Sequence, residues 1–328
     1  PPPLPVVGLE PEALDGWLAE RSVRRLGADG GFRWDAALLR LGPERHVFYL
    51  AVHHIVADGT SVFLIADHLA ERYAGRAPPP CAGFQDYLRA ESRYRASPKG
   101  ASDAVWWQKK LAAGVPPLRP YGLAHAERSV ALARARLDGG RDRAARLAAL
   151  AGEEPFRTMS PRLSRLLVMA TALSAWLYRV TGNREILLGI PFANRPPQFA
   201  RTCGLLMEQT LLRIEVAEGD TFEALARRVK AEAMEATRRG QCCVSGQEYV
   251  TLNMAPAPPT RFADLPATTR LDLGRTLGGP AGTEGDLRDT LRVHVHDFAE
   301  DSLQLTFDFH AATFDARARQ RAQGHFLR

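Results

Sequence analysis

The sequence predicts an α/β protein, an α+β sandwich of mixed sheets covered by helices, and three observations carry that reading. Short apolar runs bounded by Gly and Pro alternate with longer segments whose apolar residues recur at helical spacing. The alternation lacks the regular β-α-β spacing of a doubly wound sheet. The composition, 45% hydrophobic and 24% charged, is that of a packed chain. At 328 residues the chain exceeds what one core commonly supports. Two units are expected, residues 1–118 and 119–328, divided at the Pro/Gly-rich stretch from Ala112 to Leu123.

The elements follow in order. Pro1-Pro2-Pro3-Leu4-Pro5 cannot be helix interior. Pro11 to Leu26 reads as an amphipathic helix with Leu14, Trp17 and Leu18 on one face. Gly27 to Gly31 reads as a turn, and Ala36–Leu41 and Val47–Val52 as neighbouring strands separated by Gly42-Pro43. Ser61 to Tyr73 is a helix with Val62, Ile65, Leu69 and Tyr73 aligned, and Ala77-Pro78-Pro79-Pro80 a connector. Phe84 to Leu111 is one helix or two, broken near Ser97-Pro98. Val130–Leu137 is a strand and Arg141–Leu150 a helix. Leu163 to Thr181 is the most apolar helix of the chain. Ile186–Ile190 and Thr210–Val216 are strands, Phe222–Arg238 a helix, and Tyr249–Asn253, Thr290–Val295 and Leu303–Phe309 late strands. Phe314–Leu327 closes the chain as a helix.

Composition excludes several classes. The formal charge is +6, yet 37 acidic residues interleave with 43 basic ones, and no basic run is mixed with aromatics, so no nucleic-acid partner is expected. A basic face for an acidic protein partner fits the same balance. No apolar run reaches the length of a membrane span, and the opening residues do not read as a secretory signal. A cytoplasmic protein is expected. None of Cys81, Cys203, Cys242 and Cys243 forms a C-x-x-C pair, which argues against a disulfide framework or a zinc site.

The chemistry concentrates in His53-His54-Ile55-Val56-Ala57-Asp58-Gly59, after an apolar strand and before a helix. Strand alternation would send His53 and His54 to opposite faces, one ring into the sheet packing and one towards a cleft. A neutral imidazole suits proton acceptance from an attacking amine or hydroxyl. Asp58-Gly59 favours a sharp turn, bringing the carboxylate and the glycine N–H back towards the histidine, where the N–H can face a developing oxyanion. A single strand histidine is ordinarily structural, and Asp-Gly alone is a turn. The combination is what points to chemistry.

The run His53 to Ser61 resembles the HHxxxDG signature of nonribosomal peptide synthetase condensation domains, which related acyltransferases of the chloramphenicol acetyltransferase-like superfamily share. Phe84-Gln85-Asp86-Tyr87 resembles that family's aromatic-x-Asp-Tyr segment, Trp106-Trp107 its aromatic pair, and Gly189 to Arg195 its G-x-P-x-x-x-R segment. Gly204 to Arg213 and Phe307 to Leu327 are looser matches. The resemblance implies two chloramphenicol acetyltransferase-like lobes in a V, with the active site in a tunnel between them. It implies His54 as the catalytic histidine, Gly59 as backbone near the reacting carbonyl, His53 and Asp58 as structural, and Arg195 as the ion-pair partner of Asp58. It also implies acyl or peptidyl carrier proteins as partners, bringing substrates on 4'-phosphopantetheine. No cofactor or metal of the domain's own is expected, and a small-molecule acceptor remains open.

The match departs from the family at several places. The family's opening helix and strand have no counterpart ahead of His53. Thr60 stands where Trp is common, and Met207-Glu208-Gln209-Thr210 replaces a small-polar Asn-Thr portion. Asn253 is reminiscent of condensation domains that begin a chain with a non-peptidyl acyl donor. His294 and His296 alternate on a strand and read as structural, since a metal would need a third ligand. His310 and Cys242-Cys243 read as packing, Trp106-Trp107 as a helix anchor, and Gly278 to Gly282 as a crossing loop without a phosphate cradle. The expected activity is amide or ester formation from a carrier-tethered acyl donor. Acyl transfer from coenzyme A or a polyketide carrier, and a non-catalytic docking module, are the alternatives. No G-x-S-x-G elbow is present, so no covalent acyl-enzyme is expected.

Overall fold

The computed structural model describes residues 3–22, 24, 26–27, 30–123, 132–240, 249–255, 259–270, 289–298 and 302–328. Cys242, Cys243 and the Gly278–Gly282 segment lie outside them. In chain order the elements are β1 (Val6–Gly8), α1 (Leu14–Ser22), β2 (Trp34–Arg40), β3 (His46–Val52), α2 (Gly59–Tyr73), α3 (Phe84–Arg95) and α4 (Pro98–Leu111). Then come β4 (Leu132–Asp138), α5 (Arg141–Ala151), α6 (Pro161–Thr181), β5 (Glu185–Phe192), β6 (Glu208–Glu215) and α7 (Phe222–Arg238). The chain closes with β7 (Tyr249–Met254), β8 (Arg261–Phe262), β9 (Leu265–Pro266), β10 (Asp289–Phe298), β11 (Leu303–His310) and α8 (Ala316–Phe326).

Two compact units are formed, and neither is continuous in sequence. The first comprises Pro1–Tyr87, Arg195–Leu206 and Pro258–Leu277; the second takes the remainder. The division expected after residue 118 therefore falls inside the second unit. The physical reason is burial: Trp107 of α4 and Leu118 beyond it belong to the second unit's core.

In the first unit β2 pairs in parallel with β1 and antiparallel with β3. Ala37, Leu39 and Leu41 are buried beneath Trp17, Leu14 and Tyr49. Trp17 meets Tyr49 edge-on at 5.1 Å, and Arg21 closes the group with a two-pronged bond to Asp35. The helix expected over 11–26 starts instead with a 3-10 turn at Pro11–Ala13 before α1. A two-strand hairpin, β8–β9, completes this unit.

The second unit is built on a six-stranded sheet of order β4-β11-β10-β7-β5-β6. Its centre, β10-β7-β5, is parallel, and its flanks are antiparallel. Against it packs α6, whose ends the sequence marks: Ser160 caps the N-terminus through Leu163 N–H, Pro161 fills the first turn, and Gly182 ends the helix at a left-handed φ of 74°. Two of its buried hydroxyls avoid a desolvation penalty by bonding back one turn. Thr171 donates to Leu167 O at 2.7 Å and Ser174 to Ala170 O at 2.8 Å. Ser97 caps α4 through Gly100 N–H, which settles the Phe84–Leu111 stretch as two helices.

Candidate active site around His54

The ladder between β2 and β3 ends with Trp34 opposite Val52. His53 N–H then donates to Arg33 O at 2.7 Å, Val56 N–H turns back to His53 O at 3.0 Å, and the chain enters a tight turn. The two histidines therefore lie beyond the strand, and both are exposed. This corrects the expectation that alternation would bury one ring. Pleated alternation persists only while the ladder does, and here it stops one residue short. His53 Nδ1 accepts from Ile55 N–H at 3.1 Å, so this ring braces the turn. The His54 ring makes no hydrogen bond among the described residues.

Asp58 does more than shape a turn. It is the N-cap of α2, and its Oδ1 accepts from Ser61 N–H at 2.9 Å. Arg195 Nη2 donates to the same oxygen at 2.7 Å, while Oδ2 accepts from Leu206 N–H at 3.0 Å. The structure thus forms the Asp58–Arg195 ion pair, with side chains only 2% and 6% exposed. Arg195 also donates to Thr202 O through Nη1 and to Ser61 Oγ at 2.8 Å. Burial alone would raise the Asp58 carboxyl. Hydrogen bonds from Ser61 N–H, the Arg195 guanidinium and Leu206 N–H outweigh it and hold the group below the usual carboxylate range.

Ser61 is the residue that sequence reasoning passed over. Fully buried, its hydroxyl accepts from Gly204 N–H at 3.0 Å and has Gly204 O at 2.7 Å and Asp58 Oδ1 at 2.9 Å as acceptors for its one proton. A signal was present: Asp-x-x-Ser places serine at the third helical position, where its N–H reaches a capping side chain. Gly204 is required by close approach. A Cβ there would sit 2.2 Å from the Phe84 ring. Phe84 stacks on Tyr87, and Tyr87 packs edge-on against Phe199 at 5.5 Å. The segments at 58–61, 84–87 and 195–206 are therefore one buried assembly in the first unit.

Gly59 is the first residue of α2 rather than part of the turn. A Cβ at this position would meet nothing within 4 Å, so the fold does not demand glycine there. Its N–H belongs to the open N-terminal turn of a 15-residue helix, whose partial positive charge favours a negative group. Trp106 and Trp107 pack edge to face at 4.8 Å in the second unit, with Lys110 over Trp106. Among the described residues no cluster of three or more metal-ligating side chains occurs, and no helix is long and apolar enough to cross a membrane.

A sequence model for the family described as "Condensation domain" matches residues 10–242, well over half of the chain. The chain belongs to the condensation-domain family. Among curated relatives, this condensation domain is 30% identical over 301 residues to an isonitrile lipopeptide synthase of Streptomyces coeruleorubidus, covering 85% of the chain and 19% of the relative. It is 26% identical over 264 residues to cyclosporin synthetase of Tolypocladium inflatum, covering 72% of the chain and 2% of the relative. The condensation domain thus spans a small part of the synthetases it matches. Among solved structures it superposes on the starter condensation domain of rhizomide synthetase in complex with C8-CoA with a TM-score of 0.77 at 23% identity, covering 100% of this chain and 77% of that one. The first condensation domain of the calcium-dependent antibiotic synthetase gives 0.76 at 23%, covering 100% and 75%. The fold is that of condensation domains, the chloramphenicol acetyltransferase-like fold that the resemblance implied.

Proposed function

We propose that this chain carries out condensation: an acyl group held as a thioester on a carrier protein is transferred to an amine or a hydroxyl, giving an amide or an ester. The amine nitrogen attacks the thioester carbonyl carbon, the new C–N bond forms as the C–S bond breaks, and the nucleophile's proton ends on the leaving thiolate. His54 hydrogen-bonds the nucleophile and is the group through which that proton passes or by which the attacking atom is aimed. Gly59 N–H faces the carbonyl oxygen as negative charge develops on it. His53 and the Asp58–Arg195 pair are structural. The partners are acyl or peptidyl carrier proteins, with the substrate on their 4'-phosphopantetheine, in a cytoplasmic assembly.

The observation that supports this reading best is the division of labour within the motif. His53, Asp58 and Ser61 are all engaged in holding the turn and the helix, whereas His54 is exposed with its ring free of partners among the described residues. A group whose neighbours fix its backbone while its own nitrogens stay available is suited to contacting a substrate. The open space beside Gly59 supports the same site.

The test is a single-turnover assay with an acyl-loaded carrier protein and an amine acceptor, comparing wild type with His54→Ala. Product with the wild type and a loss of about 100-fold or more in the variant is expected, within the range of general acid–base contributions. Turnover with a coenzyme A thioester but with no carrier would instead make this an acyltransferase of the same superfamily. Carrier binding without turnover in either format would make it a docking module.

A further inference from the structure

Two thiols of the described residues have no part in the chemistry assigned above. Cys81 is exposed and Cys203 half-buried, and both are free. They belong to the first unit but to two of its separate pieces. Cys81 follows the proline connector at 78–80 and leads into α3. Cys203 lies within residues 195–206, the segment that closes on the start of α2. That segment supplies Arg195 and Leu206 N–H to Asp58, and the Gly204 backbone to Ser61.

Contacts beside the two thiols bring the pieces together. Thr202 Oγ1 donates to Ala82 O at 2.9 Å, so the residue before Cys203 is bonded to the residue after Cys81. Further along, Gly204 lies so close to the Phe84 ring that a Cβ would sit 2.2 Å from it. The two pieces therefore run side by side from 82 to 84 and from 202 to 204. Residues 81–83 and 202–203 carry no strand or helix. No backbone ladder fixes their separation, which leaves the chain free to adjust to the geometry of a disulfide.

The thiols differ in access and in chemistry. Attack on a disulfide sulfur is made by the thiolate, not the thiol. Burial pushes the Cys203 thiol up, and Cys81 and Asp58 push the same way, against Arg195 and Arg201. The effect of Cys81 on Cys203 puts the two sulfurs within electrostatic reach of each other. Cys203 is thus held as a thiol at neutral pH and is shielded from solvent, whereas Cys81 meets solvent directly.

We propose that Cys81 and Cys203 form a reversible disulfide that fastens residues 195–206 to the connector, with Cys81 as the point of entry and a low-molecular-weight disulfide, such as oxidised glutathione, as the oxidant. The Cys81 thiolate attacks one glutathione sulfur, the glutathione S–S bond breaks, and glutathione thiolate leaves to take up a proton. Cys203, on losing its proton, attacks the Cys81 sulfur of the mixed disulfide. The Cys81–Cys203 bond forms and the second glutathione departs as a thiol. Two protein thiols are oxidised and one glutathione disulfide is reduced to two thiols. In a reducing compartment such a bond is transient and reports oxidation rather than serving as a framework. It would hold the Asp58 clasp shut by a covalent link. The proposal goes beyond the condensation reading and does not depend on it.

The test uses the full chain, exposed to defined ratios of oxidised to reduced glutathione, quenched in acid, alkylated and mapped by mass spectrometry. A peptide joined through Cys81 and Cys203 is expected, preceded by a glutathione adduct on Cys81. Cys203→Ser should stop at that adduct, and Cys81→Ser should leave Cys203 unmodified. Conversion of adduct to crosslink should speed up as pH rises towards the Cys203 value. An adduct that accumulates in the wild type without a crosslink overturns the proposal, as does pairing of either thiol with Cys242 or Cys243. The second readout is hydrogen exchange at Gly204 and Leu206, whose N–H groups bond Ser61 and Asp58. Oxidation should slow both at least about tenfold, since closing the long loop between the cysteines disfavours the opened chain. Unchanged exchange in a crosslinked protein would mean that the bond fastens nothing, and the clasp role would fall. Cys81→Ser, at an exposed position, serves as the folded control in which oxidation changes neither rate.

Discussion

Asp58 in the first unit and Asp308 in the second are both buried against an arginine, and the two pairs hold different things. Asp58 ties together chain segments that no sheet ladder joins: the start of α2, and residues 195–206, which carry no strand or α-helix. Asp308 lies between strands that backbone hydrogen bonds already pair on both sides. Arg195 is 6% exposed, Arg134 28%. Where the backbone supplies no order, the ion pair is the order. Where the sheet supplies it, the ion pair adds to an order already in place.

The largest loss is expected from Arg195→Ala, which leaves a buried carboxylate without its cation. A loss of about 3–5 kcal/mol in urea-unfolding stability is expected; under 1 kcal/mol would mean that the pair holds nothing. Gly204→Ala comes next, at about 1–3 kcal/mol, because its methyl would overlap the Phe84 ring. Phe84→Leu should recover part of that loss in a double-mutant cycle, and additive losses would locate the strain elsewhere. Arg134→Gln should cost less than half as much as Arg195→Ala, about 1–2 kcal/mol, because water reaches the partly exposed pair while the sheet stays paired. Equal losses at the two arginines would erase the distinction.

The smallest difference shows only in acid. The Asp58 carboxyl is depressed in the folded state, so its contribution is fully present above its unfolded value, about 3.9, and is lost as pH falls through the lower folded value. The stability gap between wild type and Asp58→Asn should therefore hold steady from neutral pH to about 5 and narrow below about 4. A gap that widened in acid would reverse the assigned direction.

The parts legible in the sequence share one property: their cause is local. Ser160-Pro161 and Gly182 bracket α6 because caps are written in adjacent residues, and its apolar content did the rest. The Asp58–Arg195 pair spans 137 residues and was legible only through a resemblance in which both motifs recur together. What escaped was set by partners far away. The facing of His53 and His54 depended on where β2 stops supplying a ladder, at Trp34. Strands of two or three residues, such as β1, β8 and β9, are too short for periodicity to register. His294 and His296 read correctly as strand residues, but the polar group they join draws on Arg134, Asn253 and Asp308, which only the sheet order brings together.

The interleaving of the two units has a consequence for synthesis on the ribosome. Asp58 emerges 137 residues before the guanidinium that neutralises it, a wait of roughly 7–27 s at ordinary rates of about 5–20 residues per second. During that interval the strands β1 to β3 can pair, but the start of α2 has neither Arg195 nor the 204–206 backbone to close upon. The nascent chain must keep this aspartate hydrated until residue 195 has appeared. A pause placed between codons 60 and 195 would lengthen that exposed state, whereas the same pause after codon 210 would leave it untouched.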